Sequence, residues 1–225
     1  MQNTDKKEII KHIKKLSSPF NPKAKELAII LAAGHGKRIK SQRSKMLHTI
    51  WGIPTVERVH NACTKAVKGI NSVVVVGIKV LDVLNVLGKK LNTAYAYQEE
   101  QNGTGHAVQV ALRSVKHFPE DGIVYVLPGD MGLIDVETLQ SFRNSFIESK
   151  ADMIVLTGIY SGDPKENNYG RIIRVKNKDT KGKRSGKDQG KVIEIMEYKD
   201  ILALPDGKLY VTNYKGKKYS FTKKN

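Results

Sequence analysis

The stretch LAAGHGKRIKSQRSKML (31–47) brings small residues and cations into one short loop directly after an apolar run. Small residues let backbone N–H groups come close to a phosphate, and such an arrangement binds anions. An arginine forms bidentate contacts with phosphate oxygens, whereas a lysine provides a compact charge. The stretch is therefore a candidate phosphate loop, with an ordinary basic turn as the alternative. The residues that would take part are Ala32, Ala33, Gly34, Gly36, Arg38 and Lys45.

Two familiar glycine-rich phosphate motifs do not match this loop. The dinucleotide fingerprint needs a third glycine where Ile39 stands. The P-loop motif needs Ser or Thr after the Gly36-Lys37 pair, but Arg38 follows it, and no glycine stands five residues before Gly36. The loop therefore predicts phosphate binding of another kind.

Two further stretches carry residues suited to nucleotide chemistry. In YQEEQNGTGHA (97–107), the glutamines Gln98 and Gln101 each pair a donor with an acceptor, which suits the edge of a nucleobase. A lone carboxylate, Asp130, ends the apolar run GIVYVLPGD (122–130). It is able to cap a turn, but beside a phosphate loop it is a natural magnesium ligand, because hard cations prefer carboxylate oxygens.

Apolar runs that alternate with helical patterns predict the architecture that positions these residues. Continuous apolar strands between helices are typical of a mostly parallel sheet covered on both faces, and ligands bind at the carboxyl ends of its strands. We therefore predict an α/β fold with a doubly wound, mostly parallel sheet. The predicted strands are LAIILAA (27–33), SVVVVG (72–77), TAYAYQ (93–98), GIVYVLPGD (122–130) and ADMIVLTGIY (151–160).

The last quarter of the chain has a different pattern. RIIRV and KVIEIME predict a β-hairpin whose strands are joined by a long solvated basic loop (residues 176–191). The final stretch, DGKLYVTNYKGKKYSFTKKN, mixes tyrosine with lysine. It predicts an exposed hairpin with solubilising lysines, although interleaved basic and aromatic residues also bind single-stranded nucleic acid.

Overall composition favours an anionic partner, since the formal net charge is +17. Cys63 is the single cysteine, lies in a helical pattern and is expected to be a small core hydrophobe. The chain shows no signal peptide and no run of about 20 apolar residues, the length that a membrane span needs. We expect a cytoplasmic protein without a membrane span.

The N-terminal segment, residues 1–26, is predicted to be an extension with one short amphipathic helix. Ile9, Ile10, Ile13 and Leu16 share one side of it, with lysines around them. Such a helix is able to lie on anionic lipid, but its apolar face is narrow, so we expect it to dock on its own domain or on a partner.

Five stretches, in order along residues 27–200, resemble the sugar-1-phosphate nucleotidyltransferases, and most closely the uridyltransferase domain of bacterial N-acetylglucosamine-1-phosphate uridyltransferase. They are LAAGHGKRIKS with Lys45, QEEQNGTGHAVQVAL, the Gly-Asp of LPGDMGLI, NNYGRI and IMEYKD. GTGHA is the most specific, because it separates this branch from relatives that act on other sugars or bases. The resemblance implies a Rossmann-like nucleotidyltransferase domain over residues 27–225, with a β-hairpin extension near the C-terminus.

The reaction that the resemblance implies joins UTP to N-acetylglucosamine 1-phosphate. The products are UDP-N-acetylglucosamine, a cell-wall precursor, and pyrophosphate, and the cofactor is Mg²⁺. The sugar phosphate oxygen attacks the α-phosphorus in line, without a covalent enzyme intermediate. No nucleic-acid partner is expected, and a homo-oligomer is compatible with the sequence.

The family pattern also implies a role for each matching residue. Arg38 and Lys45 would hold the UTP phosphates and the charge of the transition state, and Asp130 would bind Mg²⁺. Gly170 and Glu197 would contact the N-acetylhexosamine. The nucleotide contacts would be Ala32, Ala33, Gly34, Gly36, Gln98, Gln101, Gly103 and Thr104.

The sequence departs from the family pattern at several positions. Ser44 replaces a proline, Pro128 replaces an aromatic residue, and the basic loop is longer than usual. The Asn-Thr-Gly motif and the later asparagine that completes the magnesium site are not recognisable before Asn225. We therefore expect a C-terminally incomplete enzyme. The alternatives are a UTP-binding module or truncated remnant with little or no transfer, and a nucleic-acid-binding protein that uses the lysine-tyrosine hairpin.

Overall fold

The computed structural model describes residues 5–34, 44–163 and 166–222, and the chain divides into two compact units, residues 1–153 and 154–225. Unit 1 contains, in chain order, α1 (Lys6–Leu16), β1 (Glu26–Ala32), a 3-10 turn (Lys45–Leu47), β2 (Thr49–Ile50), β3 (Ile53–Pro54), α2 (Thr55–Ala66), β4 (Asn71–Val76), α3 (Val80–Leu87), β5 (Thr93–Tyr97), α4 (Gly103–Arg113), β6 (Ile123–Pro128) and α5 (Val136–Ser149).

The centre of unit 1 is a parallel four-stranded sheet in the order β5-β4-β1-β6. β1 is buried on both faces because its residues alternate between two cores. Ala28, Ile30 and Ala32 pack on the side of α2 and α3, whereas Leu27 and Ile29 pack on the side of α4. The predicted doubly wound, mostly parallel α/β fold is therefore confirmed.

The N-terminal helix α1 docks on unit 1. Ile9 is buried in the core beside α2 and α3, and Ile13 and Leu16 pack against the same cluster. Asp5 caps the helix by accepting a hydrogen bond from the backbone N–H of Lys7. Docking on the chain's own core, one of the two placements expected for this helix, is therefore confirmed.

The prediction of a strand at residues 151–160 is wrong. These residues form no strand, and Met153 and Ile159 are 77% and 98% exposed. A strand needs a partner for its backbone N–H and C=O groups, and no strand pairs with this segment in the part of the chain that the structure describes. The outer neighbour of β1 is thus β6, which forms the edge of the described sheet and exposes Val124 and Val126.

The described residues of unit 2 form two hairpins, a 3-10 turn and a short helix. Its elements are β7 (Arg171–Arg174), a 3-10 turn (Gly186–Asp188), β8 (Val192–Met196), α6 (Tyr198–Ala203), β9 (Tyr210–Tyr214) and β10 (Lys217–Phe221). β7 pairs with β8 and β9 pairs with β10, both antiparallel, so both predicted hairpins are confirmed.

The tyrosine-lysine mixture of the last hairpin follows from strand alternation. Tyr219 and Phe221 are buried in the core of unit 2, and Tyr210 and Tyr214 pack against it. Between them, Lys218 is exposed. The described part of this hairpin therefore directs its aromatic rings toward its own core, as an exposed hairpin with solubilising lysines would.

The buried side chains of unit 1 include a thiol and an imidazole. Cys63 is 3% exposed, as expected for a core hydrophobe, and burial raises the pKa of its thiol to about 12. His60 is also 3% exposed, and its Nε2 lies 3.0 Å from the Thr93 hydroxyl, while its Nδ1 is buried without a hydrogen-bond partner. Burial, assisted by the nearby Lys90 charge, lowers the pKa of His60 below its usual 6.5.

The depressed pKa of His60 predicts a pH-dependent free energy of unfolding. Below pH 6.5 His60 binds a proton more readily in the unfolded chain than in the folded chain. Acidification therefore stabilises the unfolded state. We expect urea denaturation to show stability falling as the pH decreases from 6.5 toward the lower pKa of the folded state.

The matched variants for this prediction are His60→Gln and His117→Gln. His117 is exposed, so its replacement should keep the wild-type pH dependence, whereas His60→Gln should make it shallower. Equal pH dependence in His60→Gln and the wild type would show that the buried imidazole does not contribute.

No helix in the described residues is both long enough and apolar enough to cross a membrane.

Candidate active site

The carboxyl ends of the four parallel strands bring the predicted motifs to one edge of the sheet. The phosphate loop follows β1, the glutamine stretch follows β5, and Asp130 follows β6. The chain runs from β1 outward through β4 to β5 and then returns to β6 on the other side of β1. The crevice between β1 and β6 is thus the topological switch point, where open α/β sheets bind ligands.

An ion pair lies at this switch point. Lys45 Nζ is 2.6 Å from Asp130 Oδ2, and the two side chains are 27% and 37% exposed. Lys45 begins the 3-10 turn after the phosphate loop, and its side chain runs beside Gly34, since a Cβ added to Gly34 would lie 3.5 Å from Lys45 Cε. Lys45, the predicted phosphate contact, and Asp130, the predicted metal ligand, are thus in direct contact.

Close packing holds β6 against β1 at this point. The backbone N–H of Gly129 donates to the carbonyl of Leu31 at 2.9 Å. A Cβ added to Gly129 would lie 3.0 Å from that carbonyl oxygen and 3.2 Å from Met46 Sδ. Because Gly129 has no side chain, the chain passes close to β1 at this point. Asp130, the next residue, therefore lies beside the end of β1.

The end of β4 contributes a glycine that the sequence reading missed. A Cβ added to Gly77 would lie 2.8 Å from Ala33 Cβ, 2.9 Å from Ala33 O and 3.0 Å from Gln101 Nε2. The missing side chain of Gly77 therefore leaves room for Ala33 and for Gln101 to approach the end of β4. The available signal was a glycine directly after the apolar run SVVVV.

Replacing Gly77 with alanine is expected to destabilise unit 1 by about 1–3 kcal/mol, the usual range for overpacking, because the neighbouring backbone has to shift. Gly158→Ala is the matched control, since nothing lies within 4 Å of a Cβ there. Thermal unfolding of the two variants provides the comparison. Equal melting temperatures of the two variants would show that the structure beside Ala33 accommodates the added methyl group without loss of stability.

The glutamine stretch is folded onto itself. Gln98 is buried, and its Nε2 donates to the carbonyl of Gly103 at 3.2 Å and lies 3.2 Å from His106 Nδ1. Gln101 is exposed, and its Nε2 donates to the backbone carbonyl of Gln98 at 3.0 Å. Gly103 and Thr104 begin α4 and are exposed. Gln98 thus anchors the loop internally, while the start of α4 faces solvent.

The predicted sugar contacts lie together in unit 2. A Cβ added to Gly170 would be 2.9 Å from the carbonyl oxygen of Met196 and 3.8 Å from Glu197 Cα. Asn167 Oδ1 accepts a hydrogen bond from the N–H of Tyr169, and Arg171 Nη2 donates to the carbonyl of Asn167, which ties this turn together. Glu197 is exposed directly before α6. The structure thus brings Gly170 and Glu197 side by side.

Two of the predicted phosphate contacts, Gly36 and Arg38, lie outside the described residues. Ala32 and Ala33 are buried at the end of β1, and Gly34 is exposed. In the described part of the chain, the loop therefore presents small residues at the strand end and one cation, Lys45, beside them.

The carboxylate of Asp130 is a ligand of the type that Mg²⁺ accepts. Mg²⁺ usually keeps several waters and binds to one or two carboxylates together with substrate phosphates. Asp130 supplies one such carboxylate, partly exposed at the strand end. No cluster of three or more His, Cys, Asp or Glu residues able to hold a metal occurs within residues 5–34, 44–163 and 166–222. Most of the remaining coordination would come from phosphate and water.

Comparison with known proteins agrees with the motifs. The model of the family described as MobA-like NTP transferase domain matches residues 28–164. The bifunctional protein GlmU of Acetivibrio thermocellus is 40% identical over 175 residues, covering 77% of this chain and 33% of the relative. GlmU of Thermoanaerobacter pseudethanolicus is 39% identical over 174 residues, covering 77% of this chain and 34% of the relative.

The chain spans about a third of the length of these curated relatives. Among solved structures, a UDP-glucose pyrophosphorylase complexed with UDP-glucose is 14% identical, with a TM-score of 0.48 over 77% of this chain and 68% of the other. Likeness at that level indicates neither a substrate nor a mechanism. The resemblance inferred from the five motifs is confirmed by the family model and by the GlmU relatives.

Proposed function

This chain belongs to the MobA-like NTP transferase family, and from that membership we propose that it transfers a uridylyl group from UTP to N-acetylglucosamine 1-phosphate. The products would be UDP-N-acetylglucosamine and pyrophosphate. The observation that carries the proposal is the contact of Lys45 with Asp130 at the switch point of the sheet. The identity with the GlmU relatives and the GTGHA stretch support uridine and the acetylated sugar as the specific substrates.

The proposed chemistry is an in-line displacement at the α-phosphorus of UTP. An oxygen of the sugar phosphate forms a bond to phosphorus while the bond to the bridging oxygen breaks, and pyrophosphate leaves with the electron pair. No proton has to move and no group on the protein is modified. The task of the chain is therefore to position the phosphates and to stabilise negative charge.

Lys45 is proposed to act at this step. Its ammonium group would contact the phosphates and stabilise the charge that develops as the bonds exchange, together with Arg38. Asp130 would hold Mg²⁺, which when bound neutralises charge on the phosphates. With its carboxylate engaged in this way, Asp130 no longer neutralises Lys45, and the ammonium group becomes available for substrate.

The remaining residues are assigned to recognition. The small residues at the end of β1 would let the nucleotide approach the backbone, and the start of α4 would contact the uracil. Helix N-termini carry partial positive charge and free N–H groups, which suits polar ligand atoms. Gly170 and Glu197 in unit 2 would bind the N-acetylhexosamine.

The test of this proposal is pyrophosphate release by the full chain supplied with UTP, N-acetylglucosamine 1-phosphate and Mg²⁺. We expect release with the acetylated sugar phosphate, and far less with glucose 1-phosphate or with UTP alone. Saturable UTP binding without release would favour the binding-module alternative. Equal release with both sugar phosphates would contradict the proposed substrate.

A further inference from the structure

The basic loop of unit 2 (residues 176–191) is an ordered structure. A β-bridge joins Lys178 to Arg184, and the turn between them is held by Asp179, whose Oδ1 accepts the backbone N–H groups of Lys181 and Lys183 at 2.9 and 2.8 Å. The cations at the tip of the loop are therefore presented by a fixed backbone.

Hydrogen bonds fasten this loop to the edge of β10. The N–H of Thr180 donates to the carbonyl of Lys218 at 2.8 Å. Ser185 is buried, and its hydroxyl donates to the carbonyl of Lys176 and accepts from the Tyr219 hydroxyl at 2.9 Å. The loop and β10 thus form one surface, and Lys218 lies beside the tip of the loop.

The charge on this surface is one-sided. Residues 176–191 contain seven Lys or Arg and two Asp, a net charge of +5. Of the two aspartates, Asp188 is already paired with Lys191 and Lys215, and Asp179 accepts backbone N–H groups. Four exposed lysines at the loop tip and on the adjoining strand pair with no carboxylate within the described ranges, and they are Lys178, Lys181, Lys183 and Lys218.

Holding like charges together on an ordered backbone is unfavourable without an anionic partner. The loop tip, NKDTKGKR (177–184), has no large apolar side chain with which to anchor in a lipid interface. Tyr219 and Phe221 are buried, so this surface also lacks a stacking platform for bases. The anionic partner that fits this surface best is a polymer with regularly spaced phosphates, bound by charge alone.

We propose that the basic loop and β10 bind the phosphodiester backbone of a nucleic acid, independently of base sequence and of nucleotide transfer. The affinity comes from contacts between lysines and phosphates, so it falls steeply with salt concentration. The proposal replaces the stacking mode that the tyrosine-lysine pattern first indicated with a purely electrostatic one.

The experiment measures binding of the full chain to fluorescein-labelled oligo(rU) by anisotropy over a series of salt concentrations. The test variant replaces Lys178, Lys181, Lys183 and Lys218 with glutamine. Each contact with a single strand contributes about 0.7 to the slope of log affinity against log salt, so the slope should become shallower by about 3.

The matched control removes the same number of positive charges from exposed lysines of unit 1. It replaces Lys65, Lys68, Lys89 and Lys116 with glutamine. The control should keep the wild-type slope, and both variants should keep the wild-type melting temperature. The proposal is overturned by absent RNA binding, by equal losses in both variants, or by binding to phosphatidylserine vesicles in place of RNA.

Discussion

Replacing Lys45 with alanine is expected to lower kcat for pyrophosphate release by about 10²–10³, the loss typical of removing one group that stabilises transition-state charge. KM for UTP should change far less, because other phosphate contacts remain in the ground state. Lys45 and Asp130 are both partly exposed, so loss of their ion pair should cost only about 0–1 kcal/mol of stability. The chain should therefore stay folded.

The matched control for this variant is Lys116→Ala, which removes an exposed lysine of unit 1 that lies in none of the five motifs. It should leave both kinetic parameters unchanged. A higher KM with an unchanged kcat in Lys45→Ala would assign the lysine to ground-state binding alone. That result would contradict its role in the transition state.

Replacing Asp130 with asparagine is expected to raise the Mg²⁺ concentration that gives half-maximal turnover. Asparagine keeps the shape and one carbonyl oxygen of aspartate but loses the charge that a hard cation requires. The rise should be at least about tenfold, because changes even to outer residues of a metal site cost 10–100-fold in affinity. The measurement is turnover as a function of Mg²⁺ concentration.

The same substitution tests the coupling between the two residues. Asp130→Asn removes the carboxylate that neutralises Lys45, so binding of metal-free UTP should be maintained or strengthened. Asp121→Asn provides the control, because Asp121 stands before β6, is exposed and pairs with Lys25. A Mg²⁺ titration of Asp130→Asn that coincides with that of the wild type would place the metal elsewhere.

The meeting of the motifs at one sheet edge could be predicted from the sequence, because the carboxyl ends of parallel strands lie together. Lys45 and Asp130 stand 85 residues apart in the chain, yet Lys45 belongs to the stretch that leaves β1 and Asp130 closely follows the end of β6. Their direct contact, by contrast, depends on the close approach of β6 to β1 at Gly129. A sequence pattern does not report the distance between two strands.

Other features required the three-dimensional structure for related reasons. Gly77 matters through its distance to Ala33, which follows a different strand, β1. The apolar run at 151–160 has the composition of a strand, but composition does not supply a hydrogen-bonding partner. The basic loop was expected to be solvated because lysine and glycine dominate it, and its order comes from backbone contacts such as that of Thr180 with Lys218.

The most direct test of whether nucleotide and metal meet at the Lys45–Asp130 pair is calorimetric titration of the full chain with UTP in the presence and absence of Mg²⁺. We expect saturable UTP binding that Mg²⁺ strengthens. Absence of UTP binding under both conditions, or binding that is indifferent to Mg²⁺, would contradict that expectation.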